Sequence, residues 1–274
     1  MSVGENTIQA FFLPVGGSKR FCLFHEPRGA FRGALLHVHA FAEEMNLSRR
    51  MVALQARSLA AAGYAVLQMD LFGCGDSEGD FGDATWSAWV QDVVAAAKWL
   101  EARTGDDPIL WGVRAGCLLA VEVASAMARP ARFLFWQPVV SGAVHWRQFL
   151  RIQLAGAIIA ETEVSEGDRS GEVANRPASN EVAGYHASQE LIDGLTLSRL
   201  DLAPTRAQVV CIELTANGDH LTPLLTAQIE DWRAMGHQVY GAALPGAAFW
   251  QSADTPECPA LVETTTRLVT SEWS

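Results

Sequence analysis

Short apolar runs rich in β-branched and aromatic residues alternate along this chain with longer stretches whose apolar residues recur at helical spacing. The short runs predict strands at residues 7–15, 20–27, 33–41, 65–71, 108–113, 132–139, 208–214 and 238–244. Helical spacing predicts helices at residues 48–62, 84–103, 115–128, 224–235 and 256–270. Tight turns separate the first two or three strands, so we expect them to form an antiparallel edge. The later alternation predicts right-handed crossovers, and hence an α/β fold with a mostly parallel central sheet and helices on both faces.

Residues 140–205 interrupt this alternation. They contain an amphipathic stretch (WRQFLRIQLAGAIIA), then a polar segment (ETEVSEGDRSGEVANRPASN) and a second helical stretch (SQELIDGLTLSRL). An insertion at this point of a doubly wound sheet lies over the carboxyl ends of the strands, where ligands bind. We therefore expect residues 1–274 to form a single domain with a helical cap insertion at about 140–205.

Composition and charge exclude several classes of partner. The formal net charge of -11 leaves no basic surface for nucleic acid or for anionic lipid. The first residues lack the regions of a signal peptide, and no run of about 18 apolar residues predicts a membrane span. The 5 cysteines show no C-x-x-C spacing, which is typical of reduced thiols in the cytoplasm. We expect a cytoplasmic protein with no metal site and no cofactor.

The stretch ILWGVRAGCLLA, residues 109–120, has the pattern of a sharp turn between a strand and a helix. One apolar run stops at Gly112 and another begins at Gly116, as in the G-x-S-x-G nucleophile elbow. The middle position, where a serine hydrolase carries its nucleophile, is Arg114. A guanidinium stays protonated and has no lone pair for attack, so Arg114 is unable to replace serine in acyl transfer. Cys117 lies one helical turn further on, where we expect it to be buried.

The elbow, the order of the elements and the stretch DLFGCGDSEGDF resemble the α/β-hydrolase superfamily. The motifs FAEEMNLSRRM, LWGVRAG, FWQPVVSG, QFLRIQLA, VAGYHASQEL and LPGAAFWQS are similar to those of the exosortase A system-associated hydrolases of type 2. This resemblance covers nearly the whole chain and implies an α/β-hydrolase fold. It also implies an association with bacterial gene clusters for exopolysaccharide export and for sorting of proteins with a PEP-type anchor. A fold by itself establishes no activity.

The two other residues of a serine-hydrolase triad follow the nucleophile in the order acid, then histidine. In TANGDHLTP, Asp219 takes the triad-acid position, although an Asx turn explains it equally well. After the last strand, Ala248 or Phe249 stands where the histidine belongs. His220, beside Asp219, is the only histidine near the acid loop. The sequence therefore predicts that serine-type catalysis is lost.

Arg114 has a second use at such a turn. The helix that starts near Ala115 directs its free N–H groups and its positive dipole end into the cleft, where they favour a carboxylate or phosphate. A guanidinium adds bidentate contacts to such an anion. The alternative is an internal ion pair with Glu43, Glu44 or Asp219. The candidate ligand-binding residues are Arg114, Ala115, Phe41, Glu43 and Glu44.

Two further groups of side chains have both a functional and a structural interpretation. His37 and His39 alternate onto one face, either as metal ligands with Glu43 or Glu44 or as a satisfied core pair. Five tryptophans either line a sugar-binding cleft or pack in the core: Trp86, Trp89, Trp136, Trp146 and Trp250. For both groups we expect the structural role.

Three functions stay open at this level. The one we favour is a hydrolase fold without serine catalysis that binds a small anionic or saccharide-derived ligand, or a companion protein of the same gene cluster. The second is hydrolysis of an ester or acyl group by a non-triad mechanism. There, Asp219 or His220 would activate a water and Arg114 would hold an acidic substrate. The third is a purely structural subunit.

Overall fold

The computed structural model describes residues 7–128, 131–151, 181–182, 185–202, 206–218, 220–252, 254 and 256–273. Its strands are β1 (Ile8–Val15), β2 (Ser18–His25), β3 (Gly33–Val38), β4 (Tyr64–Met69), β5 (Ile109–Val113), β6 (Arg132–Trp136), β7 (Glu181–Val182), β8 (Tyr185–His186), β9 (Gln208–Thr215) and β10 (Gln238–Pro245). Its helices are α1 (Glu43–Ala61), α2 (Trp86–Thr104), α3 (Gly116–Met127), α4 (residues 142–151), α5 (Gln189–Leu197), α6 (Pro223–Ala234) and α7 (Pro259–Glu272).

Eight strands form one sheet in the order β1-β2-β4-β3-β5-β6-β9-β10. The pairs β1/β2 and β2/β4 are antiparallel, and the pairs from β4 to β10 are parallel. The predicted α/β fold with a mostly parallel sheet and an antiparallel edge is therefore confirmed. The chain crosses from β4 back over β3 to β5, so the strand order reverses there. Such a switch point opens a crevice at the carboxyl ends of β3 and β5.

Each face of the sheet has its own apolar core. In β3, Leu35 packs towards α1 and α7, and the next residue, Leu36, packs towards α2 and α3. Both leucines are fully buried, because successive side chains of a strand point to opposite faces and both faces are covered by helices. This double burial explains why the strands appear in the sequence as continuous apolar runs.

Helix α1 begins at Glu43, five residues before the predicted start at residue 48. The prediction was wrong at this end because the first turn carries Glu43 and Glu44, which interrupt the apolar pattern. Acidic side chains are nevertheless favourable in a first turn, since they face the positive end of the helix dipole. The residue before them, Ala42, has a φ of 49°, which bends the chain sharply between β3 and α1.

The described part of the insertion consists of α4, the short hairpin of β7 and β8, and α5. Its two ends are joined, since the amide of Gly142 donates to the carbonyl of Ser198 at 3.0 Å and the amide of Leu200 to that of Val140 at 3.0 Å. Helix α5 packs on α2. Residues 152–180 and 203–205, including the predicted polar segment, lie outside the described residues, so the cap boundaries and the single domain stay predictions. No described helix is both long and apolar enough to cross a membrane.

Candidate functional site

Arg114 lies at the tip of the turn that joins β5 to α3. Its φ is 55°, a left-handed conformation that costs a non-glycine residue roughly 1–3 kcal/mol. The two flanking glycines are required by close packing. A Cβ on Gly116 would lie 2.3 Å from the carbonyl oxygen of Val38, and one on Gly112 would lie 2.7 Å from the Cα of Cys117. The strained geometry of a nucleophile elbow is therefore present, with an arginine at its tip.

Glu44 is the partner of the Arg114 guanidinium. The Nε of Arg114 donates to Oε1 of Glu44 at 3.1 Å, and its Nη2 lies 3.0 Å from the same oxygen. The guanidinium also lies over the ring of Trp250, 5.2 Å from its centroid, and Nη1 donates weakly to the carbonyl of Gln137 at 3.5 Å. These contacts leave 13% of the Arg114 side chain exposed. Glu43, the other candidate in α1, instead accepts a hydrogen bond from Asn46 at 3.1 Å.

A histidine that the sequence analysis did not select completes this cluster. The Nε2 of His145, in α4, lies 3.6 Å from Oε2 of Glu44, and neither atom has a hydrogen-bond partner among the described residues. Burial lowers the pKa of His145, against a smaller rise from Glu44, and the positive charge of Arg114 lowers it further. The imidazole is therefore mainly neutral at pH 7. Arg114, Glu44 and His145 join the elbow, α1 and the insertion at one point.

Residues packed in or beside the core occupy the two positions where the sequence analysis expects the triad histidine. Phe249 is 1% exposed and packs against Trp136 and Trp250, with ring centroids 6.1 and 5.0 Å away. Ala248, the other candidate, is half-buried beside the same cluster. The loop after β10 therefore delivers an aromatic ring, that of Trp250, to the side chain on the elbow.

The acid loop follows β9. Glu213, a buried residue of this strand, accepts from the amide of Thr222 at 2.6 Å and from its hydroxyl at 2.9 Å. These two bonds hold the ends of the loop together. Asp219 lies outside the described residues, so its place in the triad-acid position stays a prediction. His220 is exposed and, within the described part of the chain, is not among the residues that line the cavity at Arg114.

A cavity of about 450 Å³ opens beside Arg114, under α4. Its charged lining residues are Arg114, Arg147, Arg199 and Glu213. Its apolar wall consists of Pro138, Val139, Val140, Ala143, Val144, Leu224 and Leu225. Arg147 and Arg199 are exposed, and neither has a carboxylate partner among the described residues. In the described chain, three arginines thus line this cavity, whereas its one carboxylate is already hydrogen-bonded to Thr222.

Other residues that the sequence analysis singled out are buried in the core and do not line this cavity. Ala115 is buried at the start of α3, and Phe41 is buried in an aromatic cluster with Phe81, Trp89 and Phe149. Neither side chain is among the described residues that line the cavity, so their part in ligand binding stays a prediction. Cys117 is fully buried, as expected, and burial raises its pKa well above the usual value.

The five tryptophans that were candidates for a sugar-binding cleft are buried or half-buried in the core, as expected. In the described chain none of them lines the cavity at Arg114. No set of three or more His, Cys, Asp or Glu side chains in the described residues is grouped to hold a metal ion. His37, His39, Glu43 and Glu44 therefore do not form the metal site that was the functional interpretation of the histidine pair.

The sequence of this chain matches a known protein family. The family model described as Hydrolase_4, serine aminopeptidase S33, matches residues 29–200. This match includes β3, the elbow and α4. No curated protein matches the sequence significantly.

Several solved structures share the fold. Est1E from Butyrivibrio proteoclasticus, solved with bound ferulic acid, has a TM-score of 0.64 at 14% identity, over 96% of this chain and 99% of that one. XC6422 from Xanthomonas campestris, described as an α/β serine hydrolase without a lid, has a TM-score of 0.60 at 13% identity, over 98% and 96%. The esterase PF2001 from Pyrococcus furiosus has a TM-score of 0.59 at 13% identity, over 98% and 91%. At these identities the likeness concerns the fold alone.

Proposed function

Because this chain belongs to the serine aminopeptidase S33 family of the α/β-hydrolase superfamily and carries Arg114 at the nucleophile position, we propose that it binds a small anionic ligand without serine-type catalysis. The observation that carries this proposal is the position of Arg114. Its guanidinium is fixed by Glu44 and Trp250 at the wall of a cavity that Arg147 and Arg199 also line.

Charge supports an anion as the ligand. The whole chain carries a formal net charge of -11, yet three of the four charged residues lining this cavity in the described chain are arginines. Arg114 is largely compensated by Glu44, so Arg147 and Arg199 supply the net positive charge that an anion meets. Guanidinium groups bind carboxylates and phosphates through paired hydrogen bonds, which gives such a site both affinity and orientation.

The resemblance to the exosortase A system-associated hydrolases supports the choice of ligand. That family is associated with exopolysaccharide export, so an acidic sugar is the first saccharide-derived anion to test. A carboxylate presented by a companion protein of the same gene cluster is the second. The apolar wall of Val139, Val140 and Leu225 adds a surface against which the uncharged part of such a ligand packs.

Isothermal titration calorimetry with inorganic phosphate and with glucuronic acid tests this function. We expect saturable binding to the native protein. Arg147→Met and Arg199→Met should each weaken it by about tenfold or more, because a hydrogen bond to a charged group contributes roughly 1.5–3 kcal/mol. Arg57→Met removes an exposed arginine of α1 that does not line the cavity and should leave binding unchanged. The proposal fails if the folded native protein binds neither anion, or if Arg57→Met weakens binding as much as Arg199→Met.

The native protein and its variants are also assayed for ester hydrolysis. With a panel of p-nitrophenyl acyl esters we expect no turnover above background, since Arg114 stands at the nucleophile position and Ala248 or Phe249 stands where the triad histidine belongs. Turnover by the native protein that Asp219→Asn abolishes would instead establish the non-triad hydrolase. Circular dichroism of each variant shows that a loss of binding or turnover is not a loss of fold.

A further inference from the structure

Strand β1 forms one edge of the large sheet, and no described strand pairs with its outer side. The amide of Glu26 donates to the carbonyl of Thr7 at 3.1 Å, which fixes the hydrogen-bonding phase of the β1/β2 ladder. Hydrogen-bonded and non-bonded pairs alternate in an antiparallel ladder, so the amides and carbonyls of Ile8, Ala10 and Phe12 point away from β2. These three residues therefore offer donors and acceptors to a further strand.

The side chains of the same three residues are exposed on one face of β1. Ile8 is 40% and Phe12 is 53% exposed, and Ala10 between them is exposed as well. Phe11 points to the opposite face, where it stacks on Trp99 of α2 with ring centroids 4.6 Å apart. Helix α2 thus covers one face of β1, and in the described chain the other face presents apolar side chains to solvent. A long apolar edge strand is a template for pairing with another chain.

Charge distinguishes β1 from the rest of the molecule. Its sequence, IQAFFLPV, has no charged residue, although the chain carries a formal net charge of -11. Edge strands that stay unpaired are commonly protected by charged side chains. At the other edge of the sheet, Arg233 donates to the carbonyl of Val239 in β10 at 2.7 Å, whereas in the described chain no arginine or lysine makes such a bond to β1. Two copies of this acidic chain repel each other least where their surfaces are uncharged.

We propose that β1 pairs antiparallel with β1 of a second copy of this chain, about a two-fold axis at Ala10, and so joins two sheets into one. In this register Ala10 faces Ala10 of the second copy, and Ile8 faces Phe12, so the exposed apolar side chains cover each other. It is the one register in which the three outward residues face only one another. A register centred on Phe11 would set Ile8 opposite Pro14, which has no N–H to donate. This inference does not depend on the function proposed for the Arg114 cavity.

Analytical ultracentrifugation of the full chain at micromolar concentration tests the inference. We expect the native protein to sediment with twice the 29.6 kDa mass of one chain. Ala10→Lys and Ala10→Asp each set two like charges opposite each other across the axis, so each variant alone should be monomeric. An equimolar mixture of the two variants should regain the doubled mass, because a lysine then faces an aspartate. Neither substitution removes a hydrogen bond between β1 and β2, since the backbone groups of Ala10 point outward.

A matched variant on the other edge strand locates the effect. Tyr240→Lys adds the same charge at an exposed position of β10 and should leave the doubled mass unchanged. Circular dichroism of each variant shows that it is folded. A native protein that sediments as a single chain would overturn the inference, whether its edge stays open or another segment of the same chain covers it. A dimer that survives both Ala10→Lys and Ala10→Asp, or a mixture of the two that stays monomeric, would overturn the pairing at Ala10 as well.

Discussion

At the scale of the residue, the contacts of Arg114 explain how the strained turn between β5 and α3 is stabilised. The backbone retains a φ of 55°, and the strain is offset by contacts with Glu44 and Trp250 that a serine is too short to make. Glu44 in turn faces His145 with its second oxygen. The three side chains form one electrostatic network, in which a change in either charge is transmitted to the imidazole.

This network predicts pKa changes of opposite sign at His145. Arg114 lowers the pKa of His145 and Glu44 raises it, so Arg114→Ala should raise that pKa and Glu44→Gln should lower it further. Titration of the imidazole resonances by NMR measures both shifts. His237, whose Nδ1 accepts from the amide of Ala207 at 3.1 Å, is the internal control and should titrate unchanged in both variants. Shifts of the same sign at His145 would show that it does not sense these two charges.

At the scale of the element, close approaches at two glycines hold α4 against α5 within the insertion and α5 against α2 of the body. A Cβ on Gly142, at the start of α4, would lie 1.7 Å from the carbonyl oxygen of Leu195 in α5. A Cβ on Gly194, in α5, would lie 2.2 Å from the Cβ of Trp86 in α2. These glycines let α4 and α5 lie close enough to α2 to position His145 over Glu44. At these two positions glycine is needed because it has no side chain, and not because of its backbone freedom.

We therefore expect Gly194→Ala to be destabilising, although alanine favours a helix more than glycine does. The added methyl group meets Trp86, which is 5% exposed and packed in the core, so α5 or the indole has to move. Overpacking of this kind costs about 1–3 kcal/mol in the free energy of unfolding, measured by urea denaturation. Leu197→Ala, on the same helix at a position that is 81% exposed, is the matched control and should change stability by less than about 0.5 kcal/mol. A Gly194→Ala variant as stable as the native protein would refute this account of how α5 docks.

At the scale of the whole molecule, the fold could be predicted from the sequence and the site only in part. Leu35 and Leu36 illustrate the fold, since a strand buried on both faces has to be apolar at successive positions. The elbow could be predicted because Gly112 and Gly116 stand at a recognisable spacing on either side of one turn, although the packing that requires Gly116 is against Val38 in β3. His145, Trp250 and Arg199 could not, because segments far apart in the sequence bring them to Arg114, and no local periodicity records such an approach.

Because several histidines are buried, we expect the free energy of unfolding to decrease on acidification. Five of its 7 histidines, His25, His37, His39, His145 and His237, are buried, and burial is the main cause that lowers the pKa of each. In the unfolded chain these groups take up protons as the pH falls through about 6.5, whereas in the folded protein they stay neutral. Acidification therefore stabilises the unfolded state. Asp92, whose pKa burial raises, acts in the opposite direction.

The free energy of unfolding should accordingly be constant between about pH 7 and 8 and fall between pH 6.5 and 5, by up to about 1.4 kcal/mol per pH unit for each buried histidine. Urea denaturation across this range measures the slope. His37→Phe removes one of the five groups and should make the slope shallower by up to this amount per pH unit, whatever it does to the stability at pH 7. A stability that stays level down to pH 5 would mean that these imidazoles take up protons as readily in the folded protein as in the unfolded chain, and the lowered pKa values of His37 and His145 would then be wrong.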